Sequence, residues 1–474
     1  MAPEMASSPI DSSSSPLVTI LSKRTIVPDS PSAMPDLKLS VSDLPMLSCH
    51  YIQKGLFFPK PNIPMSSLVP LLVSSLSRAL TIIPAFAGRF TTYPDGHIFI
   101  SCNDAGVDFY HATAPRLSLV SLLPPSSDVP KPINNLFPMD RTISYQGHFH
   151  PLAAFQLTEL GDGAIFIGCA VSHALVDGTS FWHFFNTWAE LCRGGSPKLP
   201  DFRRNYFGNS KAVLRFASSA GPEVTFPVDA PVRERIFHFS ADAVRLLKSK
   251  ANRYQNSPKL SLIPGQEAEI CGKQIHDLRT NTKGSEISSF QSLCALIWQA
   301  VTRARKWLPS NYMTTFRMAV NCRHRIEPRV SPMYFGNAIQ STPTRAKVDE
   351  VTSKDLRWVA GLLHASVLAH GDAAIRQVIT DWEAAPKCFP LGNPDGTVIN
   401  MGSSNRFPMY EGNDFGWGRP LAVRSGKANK FDGKMSAFPG REGDGSVDIE
   451  MCLAPETMAA LLLDEEFMGF VSDY

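Results

Sequence analysis

Nothing in these 474 residues is laid out as a disulfide framework or a zinc ribbon: the nine cysteines are odd in number, scattered from Cys49 to Cys452, and never spaced C-x-x-C. A reducing compartment suits that pattern, and a cytoplasmic location is the expectation. Excess charge of one sign is lacking too. With 46 Lys and Arg against 43 Asp and Glu, the net charge of +3 is too small to drive binding to nucleic acid or an anionic membrane. Any anionic partner must be met by a local patch. No uninterrupted apolar run approaches the ~20 residues of a membrane span. The opening MAPEMASSPIDSSSSP lacks both the basic end and the apolar core of a secretory signal, and the final VSDY is no familiar retention or peroxisomal signal. Residues 1–16 read as a flexible Ser/Pro-rich leader that buries too little to offset the entropy of ordering it.

What is present is an ordinary globular composition, 43% hydrophobic and 19% charged, long enough for two domains. Strand and helix signals are mixed with no fixed-period repeat, which predicts an α/β protein built from hairpins as well as crossovers. Leu68 to Leu80 is apolar at helical spacing. Asp95-Gly96 predicts a hairpin turn, Asp395-Gly396 a second such turn before TVIN, and GREGDGSVDIEMCL a glycine-rich loop joining two strands. Between about Gly195 and Pro231 prolines and charges displace any periodicity, so a long connection is expected there. From Phe237 a strand leads into a helix capped near Ser240.

The stretch AIFIGCAVSHALVDGTSFWHFFNTWAELCR carries the chemistry. Ala164 to Ser172 is a continuous apolar run of strand length, and Phe181, Phe185, Trp188 and Cys192 recur at helical spacing. His173, Asp177 and Gly178 therefore fall in the turn between a buried strand and a helix. An imidazole held on such a support can face a cavity and act as a general base, its ordinary pKa of about 6.5 leaving much of it neutral near pH 7. Spacing alone says little, because a chance H-x-x-x-D is expected roughly once in every two chains of this composition. A core histidine bonded to a backbone carbonyl, with Asp177 merely capping the helix, is the alternative. His148 and His150, two apart on a candidate strand, could face one side together, but no third ligand is near and no metal site is expected. The pentapeptide Asp414-Phe-Gly-Trp-Gly418 is far more specific, arising by chance in on the order of one chain in several thousand. It offers no evident catalyst. Two glycines around a tryptophan predict a tight turn with an architectural role.

Together, His173-x-x-x-Asp177-Gly178 and DFGWG, in this order, resemble the plant BAHD acyl-CoA-dependent acyltransferases. The resemblance runs from about Leu17 to Pro455 and includes LLVSSLSRALTIIPAFAGRF, Cys102 to Val107, ISSFQSLCALIWQAVTRAR, Asn321-Cys322-Arg323, Tyr334-Phe335-Gly336-Asn337 and AVRSGKANKFDGK. It implies two chloramphenicol acetyltransferase-like domains with mixed sheets and flanking helices: residues 17–195, a crossover loop over 196–235, and residues 236–474, with a segment after about 375 crossing back to the first domain. A solvent channel would run between them with His173 at its middle, the acyl-CoA co-substrate entering from one face and a small-molecule alcohol or amine from the other. No permanently bound cofactor is implied, and a monomer is expected.

In that reading His173 is the catalytic base. Asp177 points away from the channel into an ion pair with Arg323, Gly178 permits the tight turn, and Asp414, Gly416, Trp417 and Gly418 support the site. Candidates for holding coenzyme A are the helix start at Ser288, Ser289 and Gln291 and the basic groups Lys248, Lys250 and Arg424, although Lys248, Lys250, Arg303 and Arg305 stand near helix C-termini, where cations are favoured anyway. One departure concerns the acceptor. Hydroxycinnamoyl-transferring members have a tryptophan after a Thr-Ser pair shortly before DFGWG, where this chain has Ser404. The variant resembles a branch some of whose members have lost the histidine and act as lyases on a salicylate precursor; such a lyase, or a non-catalytic binding protein, is the alternative function. A peptide-synthetase condensation domain would have a second histidine at Ser172. A second YFGN, at Tyr206 to Asn209, reads as coincidence.

Overall fold

The computed structural model describes residues 16–216, 221–253 and 286–472. The leader before Pro16 and Cys271 lie outside the described residues. Two six-stranded mixed sheets form the framework. The first runs Thr19–Ile26, Val107–Ala114, Ala153–Leu160, Ile165–Val171, Ile52–Phe58 and Ala422–Ser425. The second runs Ile339–Lys347, Met313–Asn321, Val398–Met401, Lys434–Pro439, Val447–Leu453 and Arg233–Phe239. The class is the mixed α/β expected from the alternating signals.

The apolar run before His173 becomes the strand Ile165–Val171, buried along its whole length. A strand with neighbours on both edges and covered faces needs no alternation, which is why it reads as unbroken hydrophobic sequence. Its helix, Gly178–Cys192, packs against the helix Met65–Ile82 and buries Phe181, Phe185 and Trp188 in the same core. The Trp188 indole N–H donates to Leu72 O and Ser75 Oγ, each at 3.1 Å. Met65–Ile82 is the one helix among the described residues long and apolar enough to cross a membrane. Its Leu68, Leu72, Leu76 and Leu80 are instead spent on the core of the first half.

Chain order and sheet membership part company at one place. The strand Ala422–Ser425 leaves the second half and pairs antiparallel with Ile52–Phe58 at the edge of the first sheet. Between Cys192 and Arg233 the described residues form only one short 3-10 turn, Asn205–Phe207. Here Tyr206 and Phe207 of one YFGN segment pack edge-on against Tyr334 of the other, with ring centroids 5.6 and 5.8 Å apart.

Two local expectations change. Asp395-Gly396 does precede the strand Val398–Met401, but that strand pairs in parallel with Met313–Asn321 and Lys434–Pro439 and is no hairpin arm. His148 closes a 3-10 turn, Ser144–His148, rather than lying on a strand; its Nδ1 meets Tyr145 O at 2.8 Å and its Nε2 meets Thr92 Oγ1 at 2.9 Å. No group of three His, Cys, Asp or Glu able to hold a metal occurs among the described residues.

Candidate functional site

A cavity of about 1360 Å³ lies between the two halves, lined by His173 from the first and by residues such as Ser288, Asn400, Ser404 and Lys434 from the second. His173 follows directly on its buried strand and is fixed through its backbone. Its N–H donates to Ser144 Oγ at 2.9 Å, and its carbonyl accepts from Asn337 Nδ2 at 2.8 Å. Asn337 is in turn held by Asp43, whose Oδ1 accepts both the Asn337 backbone N–H at 2.8 Å and its side-chain amide at 2.9 Å. The imidazole is left free by this arrangement. Nδ1 is buried without a hydrogen-bond partner on another residue, and the neighbouring Asp177 carboxylate is not bonded to it. Burial draws its pKa below the ordinary 6.5 and Lys434 adds to that shift, while the residue's own carbonyl, the nearby Asp177 charge and the Asn337 side chain oppose it. A neutral imidazole at neutral pH is the consequence.

Asp177 is engaged elsewhere. As N-cap of its helix it accepts from Ser180 N at 3.0 Å. It also accepts Arg323 Nη1 at 2.6 Å, Arg323 Nη2 at 3.1 Å and Ala338 N at 3.0 Å. Four hydrogen bonds saturate the carboxylate, and none goes to His173. Arg323 further donates to the carbonyls of Tyr334 and Gly336, both at 3.1 Å. The ion pair, 1% and 0% exposed, joins the two halves directly behind the His173 turn.

Gly178 corrects its expected reason. It does not occupy the left-handed region; a Cβ there would instead meet the Phe407 ring at 2.6 Å, so the glycine makes room for a side chain of the other half. Gly178→Ala is expected to cost about 1 kcal/mol, at the low end of overpacking because the half-buried ring can turn aside, and thermal unfolding checks it.

In the DFGWG turn, Asp414 Oδ1 accepts the backbone N–H groups of Gly416 at 2.7 Å and Gly418 at 3.0 Å, with φ of +115° and +108° at the two glycines. Those angles are open to glycine at no steric cost. Phe415 is buried edge-on against Trp188, with centroids 5.0 Å apart, and stacks with Trp417 at 5.6 Å. The turn thereby plugs second-half aromatics into the first-half core, away from the cavity lining.

The coenzyme A candidates fare unevenly. Ser288 and Gln291 line the cavity, but they spend their polar groups on each other as a capping box: Gln291 N donates to Ser288 Oγ at 3.2 Å and Ser288 N to Gln291 Oε1 at 3.0 Å. Ser289, Lys248 and Arg424 are not in the lining. Val244, Leu247 and Ala251 bury the inner face of the helix Ala241–Asn252, which leaves Lys248 on the outer side, paired with Glu286 at 2.8 Å. Lys250 lies over the Phe470 ring at 4.8 Å. Arg424 fails by strand alternation: Ser425 faces the cavity, so its neighbour points the other way. Sequence reasoning passed over Ser144, Asn337 and the cavity lysines Lys54 and Lys434. Asn337 stood inside the block Tyr334-Phe335-Gly336-Asn337 and Lys434 at the end of AVRSGKANKFDGK, whereas Ser144 and Lys54 carried no signal.

The model of the Transferase family matches residues 17–468. Among curated proteins, "BAHD acyltransferase DCR" of Arabidopsis thaliana is 30% identical over 95% of this chain and 92% of its own length. Among solved structures, vinorine synthase superposes with a TM-score of 0.73 at 22% identity, covering 96% of this chain and 98% of its own. F. sporotrichioides TRI101, complexed with coenzyme A and T-2, gives 0.71 at 19% identity over 92% and 99%.

Proposed function

The chain belongs to the BAHD acyltransferases of the Transferase family, and from that premise we propose that it moves an acyl group from a coenzyme A thioester to the hydroxyl or amine of a small molecule of plant specialised metabolism. The observation that carries this reading is an uncommitted imidazole on the wall of a cavity shared by both halves, with its neighbouring aspartate saturated elsewhere. The coenzyme A complexed with F. sporotrichioides TRI101, which shares the fold, supports the donor class. His173 takes the proton from the acceptor as it attacks the thioester carbonyl, and returns it to the departing thiolate. A thioester is already activated, so holding both reactants in one cavity supplies much of the rate without an acyl-enzyme. Asp177, Arg323 and the DFGWG turn keep the halves in register. We place the protein in the cytoplasm as a monomer; the eight described cysteines are free.

Purified protein supplied with a panel of acyl-CoA donors and alcohol or amine acceptors is expected to release free thiol only when both are present. Conversion of a single substrate without coenzyme A would show a lyase instead. The pH profile is a second test. The neutral ring is the active form and burial lowers its pKa, so kcat/KM should rise along a limb centred below 6.5 and level off through neutral pH. A limb centred at or above 6.5 would remove His173 from the role.

A further inference from the structure

A second polar cluster lines the same cavity, built from both halves. Lys54 comes from the strand Ile52–Phe58, Lys434 from the strand Lys434–Pro439, and Lys430 and Glu450 lie beside them. Lys430 serves both nearby carboxylates, pairing with Glu234 and reaching Glu450 Oε1 at 3.3 Å, while Ser425 donates to the other Glu450 oxygen. Lys54 and Lys434 have no such partner: neither forms an ion pair or donates a side-chain hydrogen bond among the described residues. Lys54 Nζ stands 4.6 Å from the Phe438 ring centroid. Lys434 Nζ lies against Gly402, where any Cβ would take the ammonium's place.

The charges do not balance without a guest. Burial tends to raise both carboxylates; Lys430 and Lys54 overcome it at Glu450, which stays ionised, whereas Glu234 is pushed up to about 8. Burial draws Lys54 down to about 8 and lowers Lys434 too. By geometry three amino groups, Lys54, Lys430 and Lys434, face two carboxylates, Glu234 and Glu450, both of them engaged by Lys430. Lys434 is also close enough to His173 to depress its pKa, which puts the surplus positive charge near the reacting atoms. The phosphates of a bound coenzyme A stand a full pantetheine arm from its thioester, so they are not the missing anion.

We propose that Lys54 and Lys434 form a subsite for a carboxylate carried by one of the two reactants, on the acceptor or at the far end of the acyl group. The identity of the reactants rests on the acyltransferase reading; the binding of a carboxylate does not. Two ammonium groups meeting one carboxylate in a half-buried wall make charge-assisted hydrogen bonds, and an acid is expected to bind at least about tenfold more tightly than its neutral counterpart.

Calorimetric titration of the full chain tests this with matched probes. 4-Hydroxybenzoate and anthranilate are compared with their methyl esters, and succinyl-CoA with butyryl-CoA. The expected result is a preference of about tenfold or more for the acid in one set, abolished in both Lys54→Met and Lys434→Met, with butyryl-CoA binding unchanged. Preference among the acceptors assigns the carboxylate to the acceptor, and preference between the thioesters assigns it to the acyl group. Lys54→Gln and Lys434→Gln stand in where a methionine variant fails to fold. Equal binding of acid and neutral probes throughout, or a preference that persists in both variants, overturns the subsite. Thiol release is read separately: selective acid binding without transfer keeps the subsite and removes the acyltransferase reading, and transfer without lysine-dependent selectivity does the reverse.

Discussion

Replacing His173 by alanine is expected to lower kcat/KM for acyl transfer by about 10²–10⁴-fold, the range for loss of a positioned general base, while the KM for the thioester changes little. The prediction follows from how the residue is held. Its two backbone hydrogen bonds, to Ser144 and from Asn337, survive the substitution, and no ion pair or buried carboxylate is left unpaired by it. Thermal stability should therefore stay near that of the parent, so the loss reads chemistry rather than folding. Residual turnover is expected to remain above that of the free reactants, because the cavity still brings them together. Added imidazole should restore part of the rate. Steady-state thiol release measures the loss, the residual turnover and the rescue, thermal unfolding measures the stability, and unchanged turnover would remove His173 as the base.

How far the sequence could be read depends on the range of the forces at each site. The helix Met65–Ile82 and the strand, turn and helix around His173 are specified by patterns a few residues long, and local periodicity finds them. The turn at Asp395-Gly396 is also visible, but the strand after it pairs with neighbours on either side that lie far from it in sequence, which no turn signal reports. Lys248 and Arg424 are drawn toward the site by charge alone; which way each points is decided by burial of Val244 and Leu247 and by the alternation that turns Ser425 inward. Gly178 reads as a turn glycine until Phe407 is found against it. Asn337 is legible as part of a block, yet its effect on His173 depends on Asp43, 294 residues away. Lys430 and Lys434 are legible as part of the block AVRSGKANKFDGK, but the cluster as a whole is not, since its members run from Lys54 to Glu450 and become neighbours only when the strand Ala422–Ser425 joins the first sheet and draws the segment after it across.

Asp177→Asn is expected to destabilise the folded chain by about 3–5 kcal/mol, the range for breaking a buried ion pair by removing one partner. Asparagine caps a helix as well as aspartate does, so the bond from Ser180 N is retained and the helix itself should not suffer. What is lost is the counter-charge to a guanidinium that is 1% exposed. Arg323 would keep its carbonyl partners at Tyr334 and Gly336 but carry an unbalanced charge in the seam between the halves. Arg323→Met should be comparably damaging, because it strips the carboxylate of two of its four bonds. The double variant Asp177→Asn/Arg323→Met should lose less than the sum of the singles, since neither leaves a buried charge behind. Urea unfolding of the four proteins in the cycle measures this coupling. Activity per folded molecule then separates support from catalysis: with Asp177 off the ring, the surviving folded fraction of Asp177→Asn should keep the parental pH limb and a kcat within about threefold of the parent, far from the 10²–10⁴-fold loss of a missing base. Full stability with a collapsed kcat would instead make Asp177 the residue that orients His173.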